Sequence, residues 1–131
     1  MLEDQKLDTC NVVVLQEGLD SCEETCLFKC LSLQDNAENI IQCASPPAKF
    51  DAGCSISSKD TFLYVAGGCS NELRIYIYDI IQDLWYVSEE KLKNPRNLCV
   101  SAVTDELLLF VGGGVSYGKG KYLSSIEIFS L

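Results

Sequence analysis

Between Glu72 and Asp79 the chain reads ELRIYIYD, with Leu73, Ile75 and Ile77 on one parity and Arg74, Tyr76 and Tyr78 on the other. Period-two alternation predicts a β-strand with two distinct faces. Thr61–Ala66 is a short, almost wholly apolar run, the pattern of a strand covered on both sides. Ser57-Ser58-Lys59-Asp60 and Thr104-Asp105-Glu106 are polar turns that close hairpins, and Asp in such turns can bond nearby backbone N–H groups. The charged run Ser88–Asn94, followed by Pro95, predicts a connection. These signals give four strands in order: Gly53–Ser57, Thr61–Ala66, Glu72–Asp79 and Leu84–Ser88. Asn11–Leu15 and Ser125–Ser130 alternate in the same way, while Cys22–Leu33 admits a short helix in place of a strand.

The pattern repeats. Residues 51–68 read DAGCSISSKDTFLYVAGG, and residues 96–113 read RNLCVSAVTDELLLFVGG. They align without a gap at an offset of 45, placing Cys54 on Cys99, Asp60 on Asp105, Leu63 on Leu108 and Gly67-Gly68 on Gly112-Gly113. Further on, Ile126-Glu127-Ile128-Phe129 matches Ile75-Tyr76-Ile77-Tyr78, and the offset has grown to 51. The extra residues fall in Val115–Tyr122, a long turn. A fixed period of this length marks stacked supersecondary units, each burying its faces against its neighbours. The double glycines predict a strand exit with unusual φ and close backbone approach.

In the second unit the apolar run into Gly67-Gly68 is followed by Tyr78-Asp79, then Trp85, then Pro95-Arg96. This sequence of signals resembles one complete kelch unit. The third unit repeats it through Gly112-Gly113 and Phe129, without a Trp strand. The first is degenerate: Asn11–Leu15 leads to Glu17-Gly18, and Leu33 and Ile40 keep the Tyr-to-Trp spacing with other residues. The resemblance divides the chain into a tail (1–8), a degenerate repeat (9–50), a complete repeat (51–95) and a repeat truncated before its last strand (96–131). It implies an all-β fold, an incomplete kelch β-propeller of about three four-stranded blades, the first and last incomplete. Its structural signature is Gly67, Gly68, Tyr78, Asp79, Trp85, Arg96, Gly112, Gly113 and Phe129, with Tyr78 and Trp85 expected between blades.

Composition narrows the chemistry. A length of 131 residues supports one ordinary domain, and a hydrophobic content of 47% suffices for a packed core. No apolar run approaches a membrane span, and the acidic start MLEDQKLDTC is not a secretory signal. The net charge of −9 reads first as solubility, with a preference for basic partner segments as the functional alternative, and either way it argues against phosphate-backbone binding. Eight cysteines without a signal peptide read as reduced thiols in the cytoplasm. Cys22, Cys26 and Cys30 at i, i+4, i+8 form a candidate thiolate set. Their spacing does not match paired zinc ligands and the chain has no His, so no metal or other cofactor is expected. Absence of His also removes the commonest general base and every Ser-His-Asp or Cys-His arrangement. The glycines at 112–114, 118 and 120 lack the Lys-Ser/Thr ending of a phosphate loop. The expectation is a non-enzyme.

The kelch resemblance implies a protein-protein interaction module. In BTB-kelch proteins the propeller recognises a client for a cullin-dependent ubiquitin ligase, through a separate BTB domain that has no counterpart in these residues. The alternatives are an actin or cytoskeletal scaffold and the propeller of a kelch-type oxidase, the latter disfavoured by the missing His. Partner contacts are expected on rim loops: Ser70, Asn71 and Glu72, and Ser116, Tyr117 and Lys119. Glu89–Asn97 is a further candidate, assigned to the opposite rim. The uncovered edges of Asn11–Leu15 and Ser125–Ser130 predict self-association through unpaired blade edges.

Overall fold

The predicted alternation is realised as antiparallel sheet in the computed structural model, which describes residues 12–16, 28–32, 39–48, 50, 53–68, 73–116 and 119–131. No helix occurs among them. The chain divides into two compact units, Met1–Lys49 and Phe50–Leu131.

The first unit holds β1 (Val12–Gln16), β2 (Phe28–Ser32) and β3 (Asn39–Gln42) in one sheet of that order. Val14 faces Cys30 across β1 and β2, and Cys30 faces Ile41 across β2 and β3. The segment that admitted a helix is therefore strand from Phe28 to Ser32; its remaining residues, with Cys22 and Cys26, lie outside the described residues.

The second unit opens with a four-stranded meander: β4 (Cys54–Lys59), β5 (Phe62–Gly67), β6 (Arg74–Asp79) and β7 (Leu84–Lys91). Two of these strands are longer than expected. Ser57, Ser58 and Lys59 belong to β4, because Lys59 pairs with Phe62 across a two-residue turn, Asp60-Thr61. Asp60 takes the left-handed conformation that so tight a turn demands (φ 53). Glu89, Glu90 and Lys91 belong to β7, which stays paired to β6 as far as Arg74 through an irregularity between Arg74 and Tyr76. Their charges suit an edge strand, where they face solvent. The connection shrinks to Leu92–Pro95.

After β8 (Arg96–Asn97), the strands β9 (Val100–Val103), β10 (Leu108–Gly112) and β12 (Ile126–Ser130) form a sheet of order β12-β10-β9. A two-stranded ribbon joins β8 to β11 (Val115–Ser116). This sheet repeats the first, with one correction to the gapless alignment. Leu63 pairs with Tyr78, whereas Leu109, not Leu108, pairs with Phe129. Ile80 N–H bonds Thr61 C=O (2.9 Å), and its counterpart, Leu131 N–H, bonds Leu107 C=O (3.0 Å). β10 is thus offset from β5 by 46 residues, since 63 → 109 and 61 → 107. The left-handed glycines confirm the slip: they are Gly67 and Gly68 in one sheet, Gly113 and Gly114 in the other. The added residue sits in the β9–β10 turn, a three-residue loop with Leu107 left-handed at φ 58. There Thr104 N–H bonds Leu108 C=O, and Leu108 N–H bonds Thr104 Oγ1.

The two sheets of this unit share one apolar core. Tyr64, Ala66 and Ile75 from the first meet Leu109, Val111 and Phe129 from the second, with Leu92 and Cys99 closing one end. The first sheet's other face buries Leu63, Val65, Tyr76 and Tyr78. So β5 and β6 are covered on both faces, as their runs imply.

Candidate functional site

Both repeats converge on Arg96. Its side chain is 0% exposed. The guanidinium donates to Glu127 Oε1 from Nε (3.1 Å), to Gly113 C=O from Nη1 (2.8 Å) and to Ser125 Oγ from Nη2 (2.7 Å). Its own carbonyl accepts Gly68 N–H (2.8 Å). One residue therefore holds the glycine exits of both sheets. Glu127 is nearly as buried and uses its remaining lone pairs on Lys93 N–H (2.6 Å) and Asn94 N–H (3.3 Å). A buried ion pair needs such supplementary bonds to offset desolvation. The glycines matter here by approach: a Cβ on Gly67 would lie 2.5 Å from Cys99 Sγ and 2.6 Å from Arg96 C=O. On Gly114 it would lie 2.6 Å from Asn97 C=O, whereas on Gly113 it would meet nothing within 4 Å. Gly112 lies inside β10 without a left-handed φ.

The candidate loops leave this same end. Val115 pairs with Asn97 and bridges Tyr122, and Ser116 N–H bonds Lys121 C=O (2.8 Å), so Val115-Ser116 and Lys121-Tyr122 are tied together, with Lys119 exposed. Ser70, Asn71, Glu72 and Tyr117 lie outside the described residues. Leu73 and Gly68, which flank the first loop, bond to Leu92 and Arg96 of the inter-repeat connection (both 2.8 Å). That connection was assigned to the opposite rim; it stands at the same end, because β7 runs antiparallel to β6 and returns there.

At the other end Asp79, buried, accepts the N–H groups of Ile81 (2.9 Å) and Gln82 (3.1 Å) and so shapes the β6–β7 turn. Tyr78 donates its hydroxyl to Asp83 (2.5 Å). Trp85 stacks on Tyr78 and Phe50, with centroids 4.8 and 5.3 Å apart. It is half-buried there rather than enclosed, since β7 is the edge strand. Lys59 and Asp105, on the two hairpin ends, form a 2.6 Å ion pair. The Asp105 carboxylate beside it, hydrogen-bonded and opposite in charge, raises the Lys59 pKa, and Lys59 lowers that of Asp105 in the same way. Burial raises the Tyr64 phenol.

Sequence reasoning singled out Arg96 only as the opening residue of a unit and missed Glu127. The cue was available: at position 127 the repeat exchanges Tyr76 for a carboxylate within an apolar alternation. Among the described residues no cluster of His, Cys, Asp or Glu is set to hold a metal, and Cys99 is a buried free thiol. Among the described residues no helix is long and apolar enough to cross a membrane.

No family model matches the chain, and no curated protein matches it. Among solved structures it is similar to that of YjhT, at TM-score 0.64 and 16% identity. The match covers 94% of this chain and 43% of that one, so this chain spans less than half the length of that structure. Similarity at this identity speaks to the fold alone, and it accords with the all-β architecture.

Proposed function

We propose that this chain is a kelch-type propeller segment acting as a cytoplasmic protein-protein interaction module, without enzymatic activity of its own. Client recognition, as in cullin-dependent ubiquitin ligase adaptors, is the role that fits it. The observation that carries the reading is the clamp at Arg96. It ties the exits of two repeated sheets together at the end where Val115-Ser116 and Lys121-Tyr122 are also tied to each other. Binding loops on a fixed scaffold are the ordinary means of protein recognition by repeat folds. The net charge of −9 favours a basic client surface. To test it, a photo-crosslinker replaces Lys119, and cytosolic extract is compared with Ser116→Arg/Lys119→Glu bait. The crosslinker should trap a protein that the wild-type chain enriches and the double variant loses. Enrichment no different from that of an unrelated acidic domain overturns the reading.

A further inference from the structure

The cations of the second unit are unevenly placed. Lys91, the last residue of β7, pairs with Arg74, the first of β6. Two residues on, Lys93 N–H bonds the Glu127 carboxylate that also holds Arg96. Arg96 pairs with Ser116, whose N–H bonds Lys121 C=O and whose C=O accepts Lys119 N–H (3.3 Å). Lys91, Lys93, Lys119 and Lys121 thus stand at one end of the unit, and all four are exposed. Among the described residues no carboxylate pairs with their ammonium groups. At the other end the balance is reversed: Lys59 is held by Asp105, with Asp60 and Glu106 exposed nearby. The net charge of −9 therefore does not describe the lysine end. Residues 1–49 alone hold nine acidic and three basic residues. Near the lysines the described carboxylates are Glu89 and Glu90, which precede Lys91 on β7, and Glu127, which is spent on Arg96.

We propose that the end bearing Lys91, Lys93, Lys119 and Lys121 receives a short acidic segment of the client protein. This rests on the reading of the chain as a protein-binding module, and at this end it reverses the preference that the whole-chain charge sets. Range decides between a short segment and a polyanion. Salt screens exposed charges beyond about 8 Å at physiological ionic strength. A short acidic segment therefore responds to the cations it touches. A nucleic acid carries its charge on past them and meets the acidic remainder of the chain. The cations are lysines, which are point charges on flexible stems and do not impose the bidentate geometry of a guanidinium. The segment is accordingly selected by its run of carboxylates, more than by any one residue in it.

The test uses the full chain and labelled probes: a short peptide alternating Glu and Ser, its counterpart with Gln for Glu, and an oligothymidylate of equal charge. Fluorescence anisotropy reads affinity at rising salt, and NMR amide shifts read position. The Glu peptide should bind, more weakly as salt rises, and the Gln peptide should not. The amides of Lys93, Lys119 and Lys121 should shift, and those of Asp60 and Asp105 should stay. Lys119→Gln/Lys121→Gln and Lys91→Gln/Lys93→Gln should each weaken the Glu peptide about fivefold, the value of two exposed ion pairs. Both variants should keep the wild-type denaturation midpoint. Lys59→Gln, at the other end, should leave the affinity unchanged. Equal binding of the Gln peptide, tighter binding of the oligothymidylate, or an equal loss with Lys59→Gln overturns the proposal. If the wild-type chain enriches no extract partner yet binds the Glu peptide at these lysines, the module reading fails and the acidic-segment site stands. If it enriches a partner that the Glu peptide does not displace and Lys91→Gln/Lys93→Gln does not weaken, the module reading stands and the acidic-segment site fails.

Discussion

Ile75 and Ile126 occupy the same position of the repeat, yet one is 0% exposed and the other 64%. The difference lies in the neighbours. Ile75 lies on a sheet face packed against the second sheet; Ile126 lies on the corresponding face of that second sheet, where no described residue covers it. A repeat stack can therefore specify identical strands and still leave each face's environment to whatever stands next to it. The two sheets also solve one packing problem with opposite chemistry. At the position where the first sets Tyr76 against Phe50 (5.3 Å between centroids), the second sets Glu127 against Arg96.

That exchange gives the largest predicted effect. Arg96→Met leaves Glu127 buried without its cation and should cost about 3–5 kcal/mol. Arg96→Phe/Glu127→Tyr, which copies the aromatic pair of the first sheet, should recover most of it in chemical denaturation. If the double variant is no more stable than Arg96→Met, the two positions are not equivalent. Trp85→Ala comes next. The ring is half-buried, so the loss should be about 2 kcal/mol, below the range for a fully enclosed aromatic. An unchanged midpoint would place the ring outside the Tyr78–Phe50 stack.

The glycine exits sharpen the one-residue slip. Gly67→Ala combines φ 78 with overlap against Cys99 and Arg96, and Gly113→Ala has φ 67 in open space. The left-handed conformation alone costs roughly 1–2 kcal/mol in each; Gly67→Ala should exceed Gly113→Ala by the overlap. Equal losses would contradict the packing at Arg96.

The smallest effect belongs to half-buried Lys59 and exposed Asp105. Lys59 is raised from 10.5, so its contribution is complete below that value and disappears as pH rises through the raised one. Asp105 is lowered from 3.8, so its contribution is present above that value and disappears as pH falls through the lowered one. Asp105→Asn should therefore reduce the thermal midpoint slightly at neutral pH and low salt, and leave it unchanged in strong acid or high salt. A loss that persists in high salt would point to something other than the ion pair.

Much of this architecture was legible. Strict alternation in ELRIYIYD reported two faces correctly, and the double-glycine repeat located both strand exits to within one residue. The slip at Gly113-Gly114 was not legible, because LLLFVGGG offers three successive leucines and three successive glycines that fit either register equally well. Only the turn at Thr104–Leu108 decides between them, through bonds that the letters do not display. The charged Glu89–Lys91 read as a loop for a similar reason: on an edge strand, pairing on one side suffices and composition resembles a connection. Arg96 and Glu127 are separated by 31 residues, and only the antiparallel return of β12 joins them.

Amide hydrogen exchange on the chain alone tests most directly whether the two sheets are one repeat in two environments. Ile77 and Asp79, bonded outward to β7, should exchange slowly, as should Leu109 and Val111 inside the second sheet. Ile128 and Ser130, their repeat counterparts at the outer edge of β12, should exchange orders of magnitude faster, near the rate of frayed strand ends. Protection of Ile128 and Ser130 equal to that of Ile77 and Asp79 would contradict the account.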